Sequence, residues 1–250
     1  MMLKRMGIAC CLLIMLNVQA MGQIRLGLDL SRRSYIIGEV ITATVRLESQ
    51  SREPLVFGED ANAELFMEIS GGSLGSRGMP VRRRVSRDMV VMPGNSIRDI
   101  VEITSLYTFL GPGNYRANAV LVHEGRSYRS QTFAFDVNSG IEMRSFRQTV
   151  PGYRDREAVY SFRYASRDGR EEAFMVIQSP DGRSLYGTFS LGPLLRMYRP
   201  VIRARDDDTV VVVHQSGNNR FSRSIFEVER TGAIMRELRH FRPDGTPINN

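Results

Sequence analysis

The sequence predicts an all-β fold, in which an N-terminal antiparallel β-sandwich is followed by a second β-rich domain, a meander or a small sandwich. Two patterns predict it. Apolar and polar residues alternate with the two-residue period of half-buried strands. Turn-forming residues separate these segments, and no convincing amphipathic helix lies between them. The composition, 42% hydrophobic and 24% charged over 250 residues, indicates a folded chain of one large domain or two small ones.

The first twenty residues have the pattern of a signal peptide. Lys4 and Arg5 form a basic start, residues 8–18 an apolar run, and residues 18–20 a small-residue cleavage site. We therefore expect residues 1–20 to be removed and the rest to be exported to the periplasm or the extracellular space. An uncleaved anchor is the alternative, but a membrane span needs roughly 20 continuous apolar residues. No such run follows, so no span is expected after cleavage.

Cleavage would change the cysteine content and the charge of the chain. Cys10 and Cys11 both lie in the predicted signal peptide, so the mature chain would contain no disulfide, cysteine nucleophile or thiolate metal site. This absence favours a bacterial envelope over a eukaryotic extracellular space. The formal net charge of +7 would fall by two, and the remaining basic residues are all arginine. They are interspersed with acidic residues, so no nucleic-acid partner is expected.

Residues 22–138 are predicted to form the first sandwich. Each predicted strand has an apolar side that would face the core and a polar side that would face solvent. Turn signals at residues 51–54, 71–73 and 92–95 separate the strands. The inward-facing sets are Ile24, Leu26, Leu28 and Leu30; Ile41, Ala43, Val45 and Leu47; Leu65, Met67 and Ile69; Val101 and Ile103; and Phe133, Phe135 and Val137.

Two motifs in this region resemble those of bacterial immunoglobulin-like modules. Residues 110–115, L-G-P-G-N-Y, lead into a strand as the tyrosine corner of such sandwiches does. Residues 34–39, S-Y-I-I-G-E, resemble the entry to their early strand. The resemblance implies an immunoglobulin-like sandwich over about residues 22–138, in which a buried Tyr115 returns its hydroxyl to nearby backbone. It extends to proteinase-inhibitor-like and macroglobulin-like sandwiches, and the cysteine pair and core tryptophan of antibody domains are absent.

The remainder is predicted to be a linker and a second β-domain. Residues 139–157 are interpreted as a linker or crossing segment, because they contain turn residues and no sustained period. Residues 158–250 are predicted to form a β-meander. Residues 173–179 match residues 210–216 at an offset of 37, which suggests a strand-turn-strand repeat loosely resembling propeller blades. Two copies cannot close a propeller.

A dense basic cluster is the first candidate binding site. It consists of Arg82, Arg83, Arg84 and Arg87. Either these arginines lie on a solvated strand or hairpin, or they form an anion-binding patch for acidic glycans or lipid headgroups.

An aromatic group is the second candidate. Tyr160, Phe162 and Tyr164 are evenly spaced, so three rings would lie on one face of a strand. They either pack in the core or form a stripe that faces a ligand or a partner.

Residues with the chemistry of metal binding or catalysis give weaker signals. Asp206, Asp207 and Asp208 could offer oxygen ligands to calcium, although the spacing is not that of a calcium loop. No other cofactor is expected. Residues 71–75 match G-x-S-x-G, but no helix follows, so we interpret them as a plain loop. The three histidines lie in separate segments, and no catalytic residue is assigned.

These observations predict an exported, non-catalytic β-domain protein that acts as an interaction module in the cell envelope or outside the cell. Its partner would be an envelope protein or a glycan. The alternative is a protease-inhibitor-like protein or a hydrolase with a site between the two domains, where pockets commonly form. The sequence does not assign an oligomeric state.

Overall fold

The computed structural model describes residues 24–59, 61–72, 74, 79–109, 111–150 and 156–248. The predicted signal peptide lies outside the described residues. The prediction of an all-β fold is confirmed, because the described residues form five β-sheets and a single short helix, α1 (Ile103–Leu106). Strands β1–β11 pair only with one another, and so do strands β12–β20. We call these two groups the first unit and the second unit.

The first unit contains two larger sheets and one small one. Its strands are β1 (Ile24–Leu30), β2 (Ser34–Ile36), β3 (Thr42–Ser49), β4 (Leu55–Phe57), β5 (Ala63–Gly71), β6 (Val81–Arg84), β7 (Met89–Val91), β8 (Ser96–Glu102), β9 (Gly113–His123), β10 (Arg126–Arg129) and β11 (Phe133–Asn138). The sheet orders are β1-β3-β8, β2-β11-β9-β5-β6 with β10 also on β9, and β4-β7. All neighbours are antiparallel except β2 and β11, which run parallel.

The alternating apolar residues of these strands fill the core of the first unit, as predicted. Val45, Leu65 and Phe135 are buried there together with residues of every predicted set. Because side chains alternate across a strand, the same periodicity leaves Arg46 and Glu48 exposed.

The tyrosine corner has the geometry that the sequence predicts. Tyr115 is buried at the start of β9, and its hydroxyl donates a hydrogen bond of 2.9 Å to the carbonyl oxygen of Gly111. Gly72 (φ +54°) lies against this ring, and a Cβ added there would be 2.2 Å from the Tyr115 Cζ atom. The G-x-S-x-G match therefore contains a glycine that close packing requires. Ser73 lies outside the described residues.

The second unit consists of two antiparallel meanders that pack face to face. Its strands are β12 (Ile141–Thr149), β13 (Glu157–Arg167), β14 (Arg170–Gln178), β15 (Leu185–Pro193), β16 (Val201–Ala204), β17 (Val210–Gly217), β18 (Arg220–Val228), β19 (Ala233–Phe241) and β20 (Pro247–Ile248). They follow sequence order within sheets β12-β13-β14-β15 and β16-β17-β18-β19-β20. A second apolar core, which includes Met175, Leu191 and Phe226, lies between the two sheets.

Residues 139–157, which the sequence analysis interprets as a linker or crossing segment, contain a strand. Residues 141–149 of that segment form strand β12, which pairs along its length with β13. The sequence of β12 does not show the apolar-polar alternation of a half-buried strand. The reason is that β12 is an edge strand with a β-bulge between Glu142 and Arg144, and few of its side chains are even half buried. Two side chains of β12 donate hydrogen bonds to backbone carbonyls on either side of β16, Arg144 to Pro200 (3.2 Å) and Gln148 to Asp208 (3.2 Å).

The two segments of the 37-residue match lie in different places. Residues 173–179 belong largely to β14, the third strand of its sheet, and residues 210–216 belong to β17, the second strand of its sheet. Each is followed by a turn and an antiparallel strand, as the match predicts. The two copies do not occupy equivalent positions in the two meanders.

A small apolar joint connects the two units. Ile36 of β2 is fully buried with Phe174 and Val176 of β14, and Ile37 packs against them. The backbone of this turn is also bonded, because the Thr188 hydroxyl donates to the Ile37 carbonyl at 2.7 Å. The end of β2 and the turn after it, within the S-Y-I-I-G-E motif, therefore form the contact element between the units.

Candidate functional site

The arginine cluster lies on β6, which is the outermost strand of its sheet, and in the segment after it. Arg82 stacks 3.9 Å from the ring centre of Phe66 and lies 3.8 Å from Glu68. Arg84 pairs with Glu64 at 3.3 Å.

Arg87 and Arg83 complete the cluster in different ways. Arg87 pairs with Asp99 at 3.0 Å and donates to the Ile100 carbonyl at 2.9 Å. Arg83 is exposed and, by alternation, points to the other side of β6 from Arg82 and Arg84. Charged side chains on an edge strand oppose pairing with another chain. Arg84 and Arg87 each pair with their own carboxylate, and Arg82 shares Glu68 with Arg129, which lies 2.6 Å from it. The structure therefore favours a solvated edge strand over the anion-binding patch.

The aromatic group at residues 160–164 faces inward. Its members share one face of β13, as the spacing predicts, but that face lies between the two sheets. Tyr160 and Phe162 are 2% and 0% exposed, and burial raises the pKa of Tyr160 to about 12. Tyr164 is half buried under Arg196, which donates a 2.9 Å hydrogen bond to its hydroxyl. This corrects the hypothesis of a ligand-facing stripe at these positions.

The acidic run lies in the turn between β16 and β17. Asp207 accepts hydrogen bonds from the Thr209 hydroxyl (2.5 Å) and amide (3.3 Å), and it pairs with Arg205 at 3.2 Å. The Thr209 hydroxyl is the main reason that the pKa of the Asp207 carboxyl is lowered. Within the described part of the chain, no three His, Cys, Asp or Glu side chains form a group that could hold a metal ion. The calcium site at Asp206, Asp207 and Asp208 stays a prediction without geometric support.

A cleft lies beside the joint between the two units. It is the place where the alternative function, an inhibitor or hydrolase with a site between the domains, would have that site. Its volume is about 570 Å³, and both units line it. Its charged groups are bonded to one another: Glu39 accepts from Arg32 (2.9 Å) and from both terminal nitrogens of Arg167, and Arg167 also pairs with Glu172 at 3.2 Å. Arg167 is buried and its guanidinium lies 4.6 Å from the ring centre of Phe174. These contacts hold the two units together.

One serine and histidine pair has the separation of a nucleophile and a base. The Ser222 Oγ and His240 Nδ1 atoms lie 2.8 Å apart, and Ser222 also donates to the Ser216 hydroxyl at 2.8 Å. Ser222 is 0% exposed, so no substrate can reach its hydroxyl in this conformation. His214 is also buried, 5.5 Å from Phe162 between ring centres, and burial lowers its pKa to about 4.

An aromatic group lies instead on the outer face of the β16–β20 sheet, with Phe221 and Phe241 half buried and Tyr198 exposed. The rings of Phe221 and Phe241 occupy directly opposite positions on β18 and β19, with centres 6.0 Å apart. Tyr198, in the segment before β16, lies 5.8 Å from Phe221 and is 59% exposed. Met197 beside it is 71% exposed.

Two arginines lie beside these rings, and together they have a single carboxylate as their partner. Arg223 and Arg239 are opposite each other on β18 and β19, two residues from Phe221 and Phe241 along each strand. Both pair with the same carboxylate, Glu237, at 2.7 and 3.1 Å. We call Tyr198, Phe221, Phe241, Arg223 and Arg239 the ring-and-arginine surface. Like charges directly opposite on a sheet are unfavourable unless another group balances them.

A neighbouring cleft extends this surface. Arg199 follows Tyr198 in the chain and has no ion-pair partner among the described residues. It lines an open cleft of about 520 Å³ together with Met143, Arg144 and Pro200. The surface and the cleft combine one exposed and two half-buried rings with excess positive charge, an arrangement that can hold an anionic ligand with flat apolar faces.

Sequence reasoning missed this surface because its residues are far apart in the chain. Tyr198, Phe221 and Phe241 come together only through the pairing of β18 with β19 and the path of the segment before β16. The available signal was that Phe221 lies in a strand at a position that alternates with the buried serines Ser222 and Ser224. No local pattern indicates that these two strands lie side by side in this register.

None of the helices in the described residues is long and apolar enough to cross a membrane.

Comparisons with known proteins show likeness only at the level of β-rich domains. No protein-family model matches the chain, and no curated protein matches it. An alkylpurine DNA glycosylase from Pseudomonas fluorescens is similar over 46% of this chain and 30% of its own, with 16% identity and a TM-score of 0.33.

Two smaller solved structures are matched over more of their own length. The sporulation control protein Spo0M of Bacillus subtilis is similar over 91% of its own length and 68% of this chain, with 10% identity and a TM-score of 0.32. A CARDB domain from Pyrococcus furiosus, solved with di-metal ions, is covered to 89% by 48% of this chain, with 11% identity and a TM-score of 0.30. Likenesses this distant carry no argument about what this chain does.

Proposed function

We propose that this chain is an exported, non-catalytic interaction module of the bacterial cell envelope, and that it binds its partner through the ring-and-arginine surface. The first unit is an immunoglobulin-like sandwich in this proposal, which the bond from Tyr115 to Gly111 supports. Export is supported by the signal-peptide pattern of residues 1–20.

A single observation carries the proposal: the exposed ring of Tyr198 and the half-buried rings of Phe221 and Phe241 lie beside two arginines that share one carboxylate. Protein surfaces rarely keep large apolar side chains exposed together without a use for them. Here Tyr198 and Met197 are more exposed than buried, and Arg223 and Arg239 share one carboxylate. A partner that covers the rings and supplies negative charge would satisfy both groups.

The test is capture of a partner from envelope and culture fractions of a producing bacterium. The full chain is expressed, and the purified protein is immobilised alongside its Tyr198→Ala variant. Tyr198 is 59% exposed, so the variant is expected to fold normally, which circular dichroism verifies. We expect material retained by the wild type at low salt and largely lost from the variant. Retention that is equal on both would contradict the proposal for this surface.

The location is tested separately by the mass of the purified protein. Removal of residues 1–20 predicts a mature chain that begins at Met21 and is found outside the cytoplasm. An intact N-terminus on protein recovered from the cytoplasm would contradict export.

A further inference from the structure

We propose that the ligand of the ring-and-arginine surface is an anionic polysaccharide, whose sugar faces lie on the rings and whose carboxylates pair with the arginines. This inference rests on the proposed function and adds the class of the partner. It concerns residues that no local sequence motif connects, since they come from the segment before β16 and from strands β18 and β19.

The first step is the geometry of the rings. Phe221 lies between the other two, 5.8 Å from Tyr198 and 6.0 Å from Phe241 between ring centres. Adjacent rings at such spacing form a continuous apolar strip rather than isolated contacts. An extended chain of sugar units has alternating apolar faces that can cover a strip of this kind, and the Tyr198 hydroxyl adds a polar group at its exposed end.

The second step is the charge beside the rings. The guanidinium groups of Arg223 and Arg239 occupy opposite positions on the same face and share Glu237. Their side chains are 43% and 69% exposed, so a ligand can reach both. Planar guanidinium groups form paired hydrogen bonds with carboxylates, and a sugar chain that carries carboxylates would supply the charge that Glu237 alone does not.

The third step distinguishes this surface from other basic positions in the chain. Arg84 and Arg87 each have their own carboxylate. Arg82 shares Glu68 with Arg129, and Arg167 shares Glu39 and Glu172 with Arg32. On the outer face of the β1-β3-β8 sheet, Arg25 and Arg46 are also paired one to one, with Glu48 and Asp29. The ring-and-arginine surface differs from these positions by the exposed ring of Tyr198, because the Phe66 ring beside Arg82 is half buried under that arginine.

The experiment is titration calorimetry of the purified protein with polygalacturonate, a polymer of sugar units that carry carboxylates. Neutral dextran and poly-L-glutamate are the comparison polymers. We expect binding to polygalacturonate, none to dextran and weaker binding to poly-L-glutamate, which has the charge without the sugar faces. Raising the salt from about 50 to about 300 mM should weaken the binding, because screening shortens the reach of exposed charges.

Variants assign the binding to the surface. Tyr198→Ala and Arg239→Gln should each raise the dissociation constant for polygalacturonate about three- to tenfold, which corresponds to the loss of one ring or one charged contact. Arg98→Gln is the matched control, since it removes one exposed positive charge from the outer face of β8. It should change the constant less than about twofold.

Each outcome decides the inference. It is overturned if polygalacturonate does not bind, if poly-L-glutamate binds as tightly, or if Arg98→Gln weakens binding as much as Arg239→Gln does. If envelope capture depends on Tyr198 but the captured material is protein and polygalacturonate is not bound, the proposed function stands and the polysaccharide does not. If neither capture nor polymer binding occurs, both proposals fail.

Discussion

Glu39 is the residue that ties the first unit to the second by charge. Its carboxylate is held by Arg32 and Arg167, and the Arg167 side chain is only 7% exposed. A buried guanidinium that loses a carboxylate keeps its desolvation cost. Removal of one partner therefore lowers the stability of the fold more than the loss of an exposed ion pair does. Glu172 remains as a second partner at 3.2 Å and limits the loss.

We therefore predict that Glu39→Gln lowers the free energy of unfolding by about 2 kcal/mol, measured by urea denaturation at pH 7. The matched control is Glu48→Gln, which removes an exposed pair 3.9 Å from Arg25 and should cost less than about 0.5 kcal/mol. If the two substitutions lower the free energy of unfolding equally, the contact of Glu39 with Arg167 contributes no more than an exposed ion pair.

His214 gives the protein a defined dependence of stability on pH. Burial holds its pKa at about 4 in the folded state, compared with about 6.5 when the chain is unfolded. Between these values the unfolded chain binds a proton that the folded chain does not. The contribution is therefore fully present above pH 6.5 and is lost as the pH falls towards 4.

We predict that the wild type loses about 3 kcal/mol from this group between pH 7 and pH 4, and that His214→Gln loses correspondingly less over the same range. Urea denaturation at several pH values measures both. His240→Gln is the comparison, since the pKa of His240 is also lowered by burial but that residue is only half buried. If the free energy of unfolding changes with pH in His214→Gln as it does in the wild type, the pH dependence does not come from His214.

At the scale of elements, the turn between β2 and β3 shows why the S-Y-I-I-G-E motif needs its glycine. Gly38 has φ +79°, and a Cβ there would lie 2.1 Å from Leu185 Cδ2 and 2.7 Å from Thr188 Oγ1. Both a left-handed backbone and the close approach of β15 thus favour glycine at this position.

The substitution Gly38→Ala separates these two reasons when it is compared with Gly94→Ala. Gly94 has φ +78° but nothing within 4 Å of its added Cβ. We predict a loss of about 1 kcal/mol for Gly94→Ala and about 2 kcal/mol for Gly38→Ala, by thermal denaturation. If the two variants are equally stable, the close approach of the second unit is of no consequence.

The edge strand β6 gives the arginine cluster a role that requires no ligand. Arg83 is exposed and faces the opposite side of β6 from its neighbours. We predict that Arg83→Val increases self-association, because an apolar β-former on a free edge favours pairing with another chain. Light scattering across a concentration series measures this, with Arg46→Val in the central strand β3 as the control. Similar particle sizes for both variants would contradict the role of the edge.

At the scale of the whole molecule, the apolar joint decides whether the two units unfold together. Ile36 is 0% exposed and packs on Phe174 and Val176 of the other unit, while most other buried apolar residues belong to one unit's own core. Interfaces of this kind within a chain are small compared with domain cores, so one well-placed contact has a large share of the coupling.

We predict that wild-type protein shows one calorimetric unfolding transition and that Ile36→Ala separates it into two, at a cost of about 2 to 4 kcal/mol. Ile69→Ala is the control, since Ile69 is equally buried but lies in the first core. Ile69→Ala should lower the free energy of unfolding by a similar amount and should keep a single transition, because the contacts between the units remain. A single transition in Ile36→Ala would show that the ion pairs of Glu39 suffice for coupling.

The sequence by itself determined the all-β class, the core of the first unit and the Tyr115 corner, because each depends on local periodicity or on residues a few positions apart. The even spacing of Tyr160, Phe162 and Tyr164 correctly placed them on one face of a strand. Periodicity cannot say whether such a face meets a second sheet or solvent, so their burial was decided by the packing of β12–β15 on β16–β20.

The tertiary structure alone decided which residues form the ring-and-arginine surface and how the units meet. Phe221 and Phe241 are neighbours through strand register, and Glu39 meets Arg167 across 128 positions of chain. Strand β12 has too few buried side chains to reveal itself by alternation, and only its pairing with β13 defines it. Long-range pairing depends on the free energy of the whole packed arrangement, which no segment of the sequence contains.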